Sequence, residues 1–209
     1  KIKNKPLIYW SIKACLETSA IKDVWVSSDS KKILKIAKKL GALTILRPKK
    51  LSTDYSSSES GWLHALSEIK KKVKVNNLIA LQATSPIRGV NDLDNAIKLF
   101  NKKKCDSLFS STYLDTHYTW NKIKNKIFPN YDTKIERTRR QNIKIKIIEN
   151  GSFYIFEANK FQNYKKRLFG KIINYNQGKY KSFEIDTKED VLIIESILKN
   201  YSKKLNLVN

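Results

Sequence analysis

Apolar residues recur in two rhythms along the first half of the chain. Ile21 to Ser28 reads as a short strand, and Asp29-Ser30 then caps a helix whose Ile33, Leu34, Ala37 and Leu40 keep helical spacing until Gly41 stops it. Leu43 to Leu46 is a second strand. A Ser-rich loop follows through Ser60, and then a helix with Trp62, Leu66, Ile69 and Val73 on one face. Asn77 to Gln82 is a continuous apolar strand of the buried kind, Asp92 leads a helix carrying Leu93, Ala96, Ile97 and Phe100, and Cys105 to Ser111 supplies another strand. Strands alternating with helices of this length predict right-handed crossovers and a doubly wound α/β domain with a mostly parallel sheet. Ligands in such sheets collect beyond the carboxyl ends of the strands, here after Val26, Leu46, Leu81 and Phe109.

From Tyr113 to Glu149 the rhythm breaks into aromatic and basic segments around Pro129, which predicts an insertion over 113–149 with short strands and no core of its own. Periodicity returns with a strand over Gly151 to Phe156 and another near Phe183 to Ile185. Thr187 and Asp190 then form a capping box for a last helix bearing Val191, Ile194, Ile197 and Leu198.

The 209 residues suit one main core, and the absence of Met with Lys1 in first position predicts a fragment or a processed product. The formal charge of +23 raises a polyanionic partner as one reading. Its composition points elsewhere: Lys dominates, mostly on the polar faces of helices, as at Lys31, Lys32, Lys35, Lys38 and Lys39, which predicts a solvated surface and no nucleic acid. The arginines are Arg47, Arg88, Arg137, Arg139, Arg140 and Arg167, and these carry more information, because a guanidinium grips phosphate or carboxylate bidentately. Cys15 and Cys105 lack metal-ligand spacing, and His64 and His117 lack a partner acid or nucleophile at recognisable spacing. No apolar run approaches the roughly 18 residues of a membrane span, and the start lacks a signal-peptide pattern, so a soluble cytoplasmic protein is expected.

Four segments can carry chemistry. Leu81 to Arg88, LQATSPIR, emerges from the buried strand with an amide, two hydroxyls and a guanidinium; a Ser-Pro turn accounts for Thr84 to Pro86 but not for Gln82 in apolar company. Arg47 ends another strand, and Ser56, Ser57 and Ser58 precede a helix, where serines and free amides attract anions or merely cap the helix. Glu184 and Asp186 alternate about Ile185 and so share one side of an extended segment, a pairing that suits Mg²⁺. Arg137, Arg139 and Arg140 cluster inside the insertion.

Taken in order, VSSDS (26–30), LRP (46–48), LSTDYSSSES (51–60), LQATSPIR (81–88), RTRRQ (137–141), ENGSFYIF (149–156) and EIDT (184–187) resemble the acylneuraminate cytidylyltransferases. The resemblance implies a Rossmann-like nucleotidyltransferase that transfers CMP from CTP to the anomeric hydroxyl of a nonulosonic acid. It also implies a homodimer whose insertion completes the neighbour's sugar pocket. Carried over residue by residue, it assigns Arg47, Ser56, Ser58 and Gln82 to CTP. Arg139 and Asp186 are then catalytic, and Gln82, Arg140, Asn150 and Gly151 lie on the sugar side. Asp186 and Glu184 hold Mg²⁺. The role of Arg88 stays open. A Kdo-type cytidylyltransferase is the enzyme alternative, expected to carry a QGDEP-like stretch where Gln82 to Pro86 stand; a basic nucleic-acid-binding protein is the other. The family's ARxGSKxxxxKN loop has no counterpart here, and Pro6-Leu7-Ile8 resembles the segment just after it. About 20 residues, including a first strand and the phosphate loop, are therefore expected to be missing, and these 209 residues alone are expected to bind CTP poorly.

Overall fold

The computed structural model describes residues 1–114, 119–134 and 145–207. Helix α1 (Leu7–Leu16) begins after Pro6, whose fixed φ suits a helix start, and leads to a parallel β-α-β unit of β1 (Trp25–Ser28), α2 (Lys31–Lys39) and β2 (Leu43–Leu46). Trp25 to Ser28 pair in register with Leu43 to Leu46, and Ser30 caps α2 by accepting the Ile33 N–H. Helices α3 (Ser58–Lys70) and α4 (Asp92–Lys103) flank β3 (Asn77–Leu81), and β4 (Ser107–Leu114) follows. After the hairpin of β5 (Trp120–Ile123) and β6 (Lys126–Pro129) come β7 (Lys146–Glu157), α5 (Ala158–Tyr164), β8 (Ile172–Asn176) and α6 (Lys188–Asn200).

The larger sheet has the order β3-β7-β4-β8, with β7 antiparallel to both neighbours and β8 parallel to β4. The doubly wound α/β arrangement holds, but the sheet is mixed, because the chain doubles back after β4 before forming β7. Helices α1 and α5 and strand β8 lie outside the elements read from periodicity. The segment 183–186 is not a strand: it is tethered by one main-chain bond, Ile185 N–H to the Thr84 carbonyl at 2.8 Å. The capping box of Thr187 and Asp190 forms as expected.

Alternation along β7 sets the layers. Phe153 and Ile155 join Ala14 and Cys15 of α1 with Leu93 and Phe100 of α4. Tyr154 and Phe156 turn the other way, against Leu66 of α3 and Phe161 of α5. Each Leu, Ile or Phe among these, fully buried, contributes about 1.5–3 kcal/mol. A third cluster ties Ile2 and Trp10 to Ile87, just beyond β3, and to Ile194, Ile197 and Leu198 of α6. Among the described residues, β1 and β2 form a sheet of their own, and α1 packs on both sheets through Ile12 against Val26 on one side and Cys15 on the other.

Candidate active site

At the end of β2, Arg47 turns toward α3. Its Nε donates to Ser52 Oγ at 3.0 Å, and its head lies so close to Gly61 that a Cβ there would stand 2.7 Å from Nη1. A glycine inside an otherwise amphipathic helix is the signal that marks this approach in the sequence. Ser57 caps α3 by accepting the Ser60 N–H, and the remaining first-turn amides have no intrahelical partner. Arg47, Ser58, Gln82 and Thr84 line one cleft. Ser56 is not among its lining residues; its hydroxyl accepts the Thr53 N–H at 3.1 Å and shapes the loop before α3.

Gln82 follows β3 directly. Its N–H donates to the Ser152 carbonyl, and its own carbonyl accepts from Arg88. Arg88 is 1% exposed and fastens two strand ends together: Nη2 donates to the carbonyls of Gln82 at 2.9 Å and Ser152 at 2.7 Å, and Nη1 to Ser11 Oγ at 3.1 Å. Burial lowers its pKa to about 10, which still leaves a cation at neutral pH. Its place is structural: it fixes the backbone from which Gln82 projects.

Glu184 is the half-buried member of the acidic pair and Asp186 the exposed one. Ser85 Oγ donates to Glu184 Oε1 at 3.3 Å, and the Glu184 carboxylate lies against the Cα of Gly151, where a Cβ would overlap Oε1. Burial pushes the Glu184 carboxyl up, the Ser85 hydroxyl pulls it down, and the charge of Asp186 pushes it up again. Gly151 holds φ +64, a left-handed conformation that glycine adopts without strain. Asn150 is buried and commits its amide within the protein, donating to Gln177 and Ser182 and accepting the Ser152 N–H. It braces the segment that carries Glu184 rather than projecting outward.

Two networks outside the sequence reading support these walls. Asp92 is buried and accepts from Gly89 N–H, Tyr175 Oη, Gln177 Nε2 and Lys181 Nζ, the last at 2.7 Å, so it holds the approach to Glu184 against the start of α4. Arg167 pairs with Glu59 at 2.5 Å, donates to Tyr154 Oη and lies over the rings of Trp62 and Tyr154. The Arg167 guanidinium holds the Glu59 carboxyl below its usual range. Neither network has a local motif, since the partners are far apart in sequence. Arg139 and Arg140, with Arg137, lie outside the described residues. Among those described, no cluster of three or more His, Cys, Asp or Glu side chains could hold a metal ion, and no helix is long and apolar enough to cross a membrane.

Solved structures share this architecture at low identity. The CTP complex of CMP:2-keto-3-deoxy-manno-octonic acid synthetase superposes with a TM-score of 0.67 at 14% identity, covering 95% of this chain and 90% of that one. A 4-diphosphocytidyl-2C-methyl-D-erythritol synthase gives 0.69 at 8% identity, with 95% and 92% covered. These likenesses bear on the fold. In sequence, the chain is 32% identical over 154 residues to N-acylneuraminate cytidylyltransferase A of Danio rerio, covering 71% of this chain and 35% of that protein. The Oncorhynchus mykiss N-acylneuraminate cytidylyltransferase is 33% identical, with 72% and 35% covered. The chain thus spans about a third of the length of these two relatives. The pseudaminic acid cytidylyltransferase of Campylobacter jejuni is 28% identical, with 72% of this chain and 67% of that protein covered. The match to the family described as Cytidylyltransferase runs over residues 1–208, nearly the whole chain, and the chain belongs to that family.

Proposed function

We propose that this chain transfers CMP from CTP to the anomeric hydroxyl of a nonulosonic acid, releasing pyrophosphate. The observation that carries the reading is one juxtaposition: Arg47, Ser58, Gln82 and Thr84 share a cleft, and Thr84 and Ser85 hold the segment bearing Glu184 and Asp186. Cation, helix-start amides and a neutral amide meet phosphates and a base on one wall; two carboxylates meet a divalent cation on the other. The names of the relatives in sequence favour a sialic-acid-type sugar over Kdo.

The carboxylates fit Mg²⁺: burial and the charge of Asp186 both disfavour an uncompensated Glu184 anion, and a cation would relieve that cost. When bound, the metal would neutralise phosphate oxygens and favour the alkoxide form of the attacking hydroxyl. Arg47 and the α3 amides would orient the triphosphate so that the α-phosphate faces the sugar, and Arg139 would stabilise charge on the transferred group. Ser56 belongs to the same CTP-binding loop. Asn150 and Gly151 would keep the sugar side in shape, with Arg140 facing the sugar. A homodimer is part of the reading, supported by exposed Trp120, Ile123, Ile127 and Phe128 on the β5–β6 hairpin and by Ile147 and Ile148 on β7. So is a phosphate loop ahead of Lys1 that completes the nucleotide site.

The test is CMP-sugar and pyrophosphate formation from CTP, Mg²⁺ and N-acetylneuraminic, legionaminic or pseudaminic acid. Kdo is run alongside, using the 209 residues and the same chain extended by the loop. Turnover of one nonulosonic acid by the extended chain, abolished in Asp186→Ala with folding intact, is expected. Turnover of Kdo alone, or full activity in Asp186→Ala, would overturn the reading.

A further inference from the structure

The segment that carries Glu184 and Asp186 belongs to no strand, and one main-chain bond, Ile185 N–H to the Thr84 carbonyl, ties it to the loop after β3. Its placement therefore rests on packing. Phe183 and Ile185, on either side of Glu184, pack on the cluster of Trp10, Ile87, Ile194 and Leu198. Leu207, 2% exposed, completes that cluster from beyond α6, with Tyr201 and Leu205 beside it. The turn that delivers Leu207 is closed by its own backbone. The Leu205 N–H donates to the Tyr201 carbonyl and the Leu207 N–H to the Ser202 carbonyl, both at 2.9 Å. Asn206 sits at φ +47, in the left-handed region that asparagine tolerates.

The same turn touches both segments of the carboxylate wall. Leu207 pairs with Gly89 in an isolated antiparallel bridge, and the Asn206 carbonyl accepts the Val90 N–H at 2.9 Å. Gly89 lies where the two segments meet. Its N–H donates to Asp92 Oδ2 at 2.7 Å, and a Cβ on it would stand 3.1 Å from both Asp92 Oδ2 and Lys181 Nζ. Tyr201 reaches the other segment: its ring stacks on Tyr180, centroids 5.2 Å apart, in the short helical turn Lys179–Lys181 that leads to Glu184. We propose that residues 201–207 form a clasp that holds segments 87–92 and 180–186 together, with Leu207 and Tyr201 as positioning residues for the Glu184 and Asp186 carboxylates. Ile87 and Ile185 share the cluster that Leu207 completes, so a cavity at 207 lets both segments relax, and the carboxylates move with Ile185. The bearing of the clasp on turnover rests on the function proposed above; the clasp itself does not.

Amide hydrogen exchange on the full chain reads the clasp at two reporters: Val90, bonded to the clasp itself, and Ile185, bonded to Thr84. Both amides are expected to exchange on the order of tenfold faster in Leu207→Ala, less so in Leu207→Val, and at the original rate in Leu207→Met. Phe161→Leu, which opens a cavity in the cluster between β7 and α5, is expected to lower Tm with neither amide affected. Leu207→Val carries the test if Tm shows Leu207→Ala to be unfolded. Faster exchange at Val90 alone, no change at either amide in a folded variant, or an equal rise at Ile185 in Phe161→Leu would overturn the proposal. In the turnover assay, the Mg²⁺ concentration giving half-maximal rate is expected to rise about tenfold in Leu207→Ala, with KM for CTP unchanged. An unchanged Mg²⁺ requirement in a variant whose Ile185 amide has opened would overturn the positioning role. Absence of turnover in every form counts against the function proposed above, and exchange still decides the clasp.

Discussion

The two walls of the site are built in opposite ways. The wall of Arg47 and α3 is assembled mostly from near neighbours: Arg47 meets Ser52, Ser56 meets Thr53, and Ser57 meets Ser60, with Arg167 on Glu59 as its long-range brace. The wall of Glu184 is assembled from distant segments, through Ser85, Gly151 and Ile185 to Thr84, with Asn150 reaching Ser182 and Asp92 reaching Lys181. A locally built wall can yield to a substitution without unfolding the domain. A wall built from the core fails together with it.

Substitutions separate the two. Asp92→Ala leaves the Lys181 ammonium and the Gly89 N–H without their acceptor, and a loss of about 3–5 kcal/mol is expected in urea unfolding. Gly151→Ala forces a left-handed conformation on alanine and displaces Glu184. About 1–3 kcal/mol of stability should go, and Mg²⁺-dependent turnover of the active enzyme should fall with it, read as kcat. Gly61→Ala, on the local wall, meets only the flexible head of Arg47. It should cost under about 1 kcal/mol while raising KM for CTP. An equal stability loss in Gly61→Ala and Gly151→Ala would erase the distinction.

The smallest effect is a pH dependence. Because the folded Glu184 carboxyl is raised above its unfolded value, its contribution to stability is full below the ordinary glutamate pKa. That contribution is lost as pH rises through the raised folded value. Mg²⁺ requires the anion, so its affinity should weaken on acidification starting above the ordinary carboxylate range. Tm against pH without divalent cation, and calorimetric Mg²⁺ titration of the active enzyme, should both flatten in Glu184→Gln.

The same contrast governs how much was legible in the sequence. The β1-α2-β2 unit could be read because helical and extended spacing, Gly41 and the Ser30 cap all act within a few residues. Arg47 and the serines before α3 announced themselves by position at a strand end and a helix start. The direction of β7 was not legible, since it depends on how the chain returns after the hairpin. Asn150 was put on the sugar side by resemblance alone, and the structure turns its amide inward to Gln177 and Ser182. The role of Arg88 stayed open in the sequence, and the structure makes it an anchor for the backbone. In each case the deciding partner lies outside any window in which periodicity operates.

Helix α1 packs on both sheets, and its role bears on how the molecule assembles. The β1-α2-β2 unit closes contacts of short sequence separation, whereas the four-stranded sheet must bring β3 to β7 and β4 to β8 across long stretches of chain. The first has the lower loop-closure cost and the second the higher. The β1-α2-β2 unit is therefore expected to form ahead of the four-stranded sheet, with the docking of α1 joining the two.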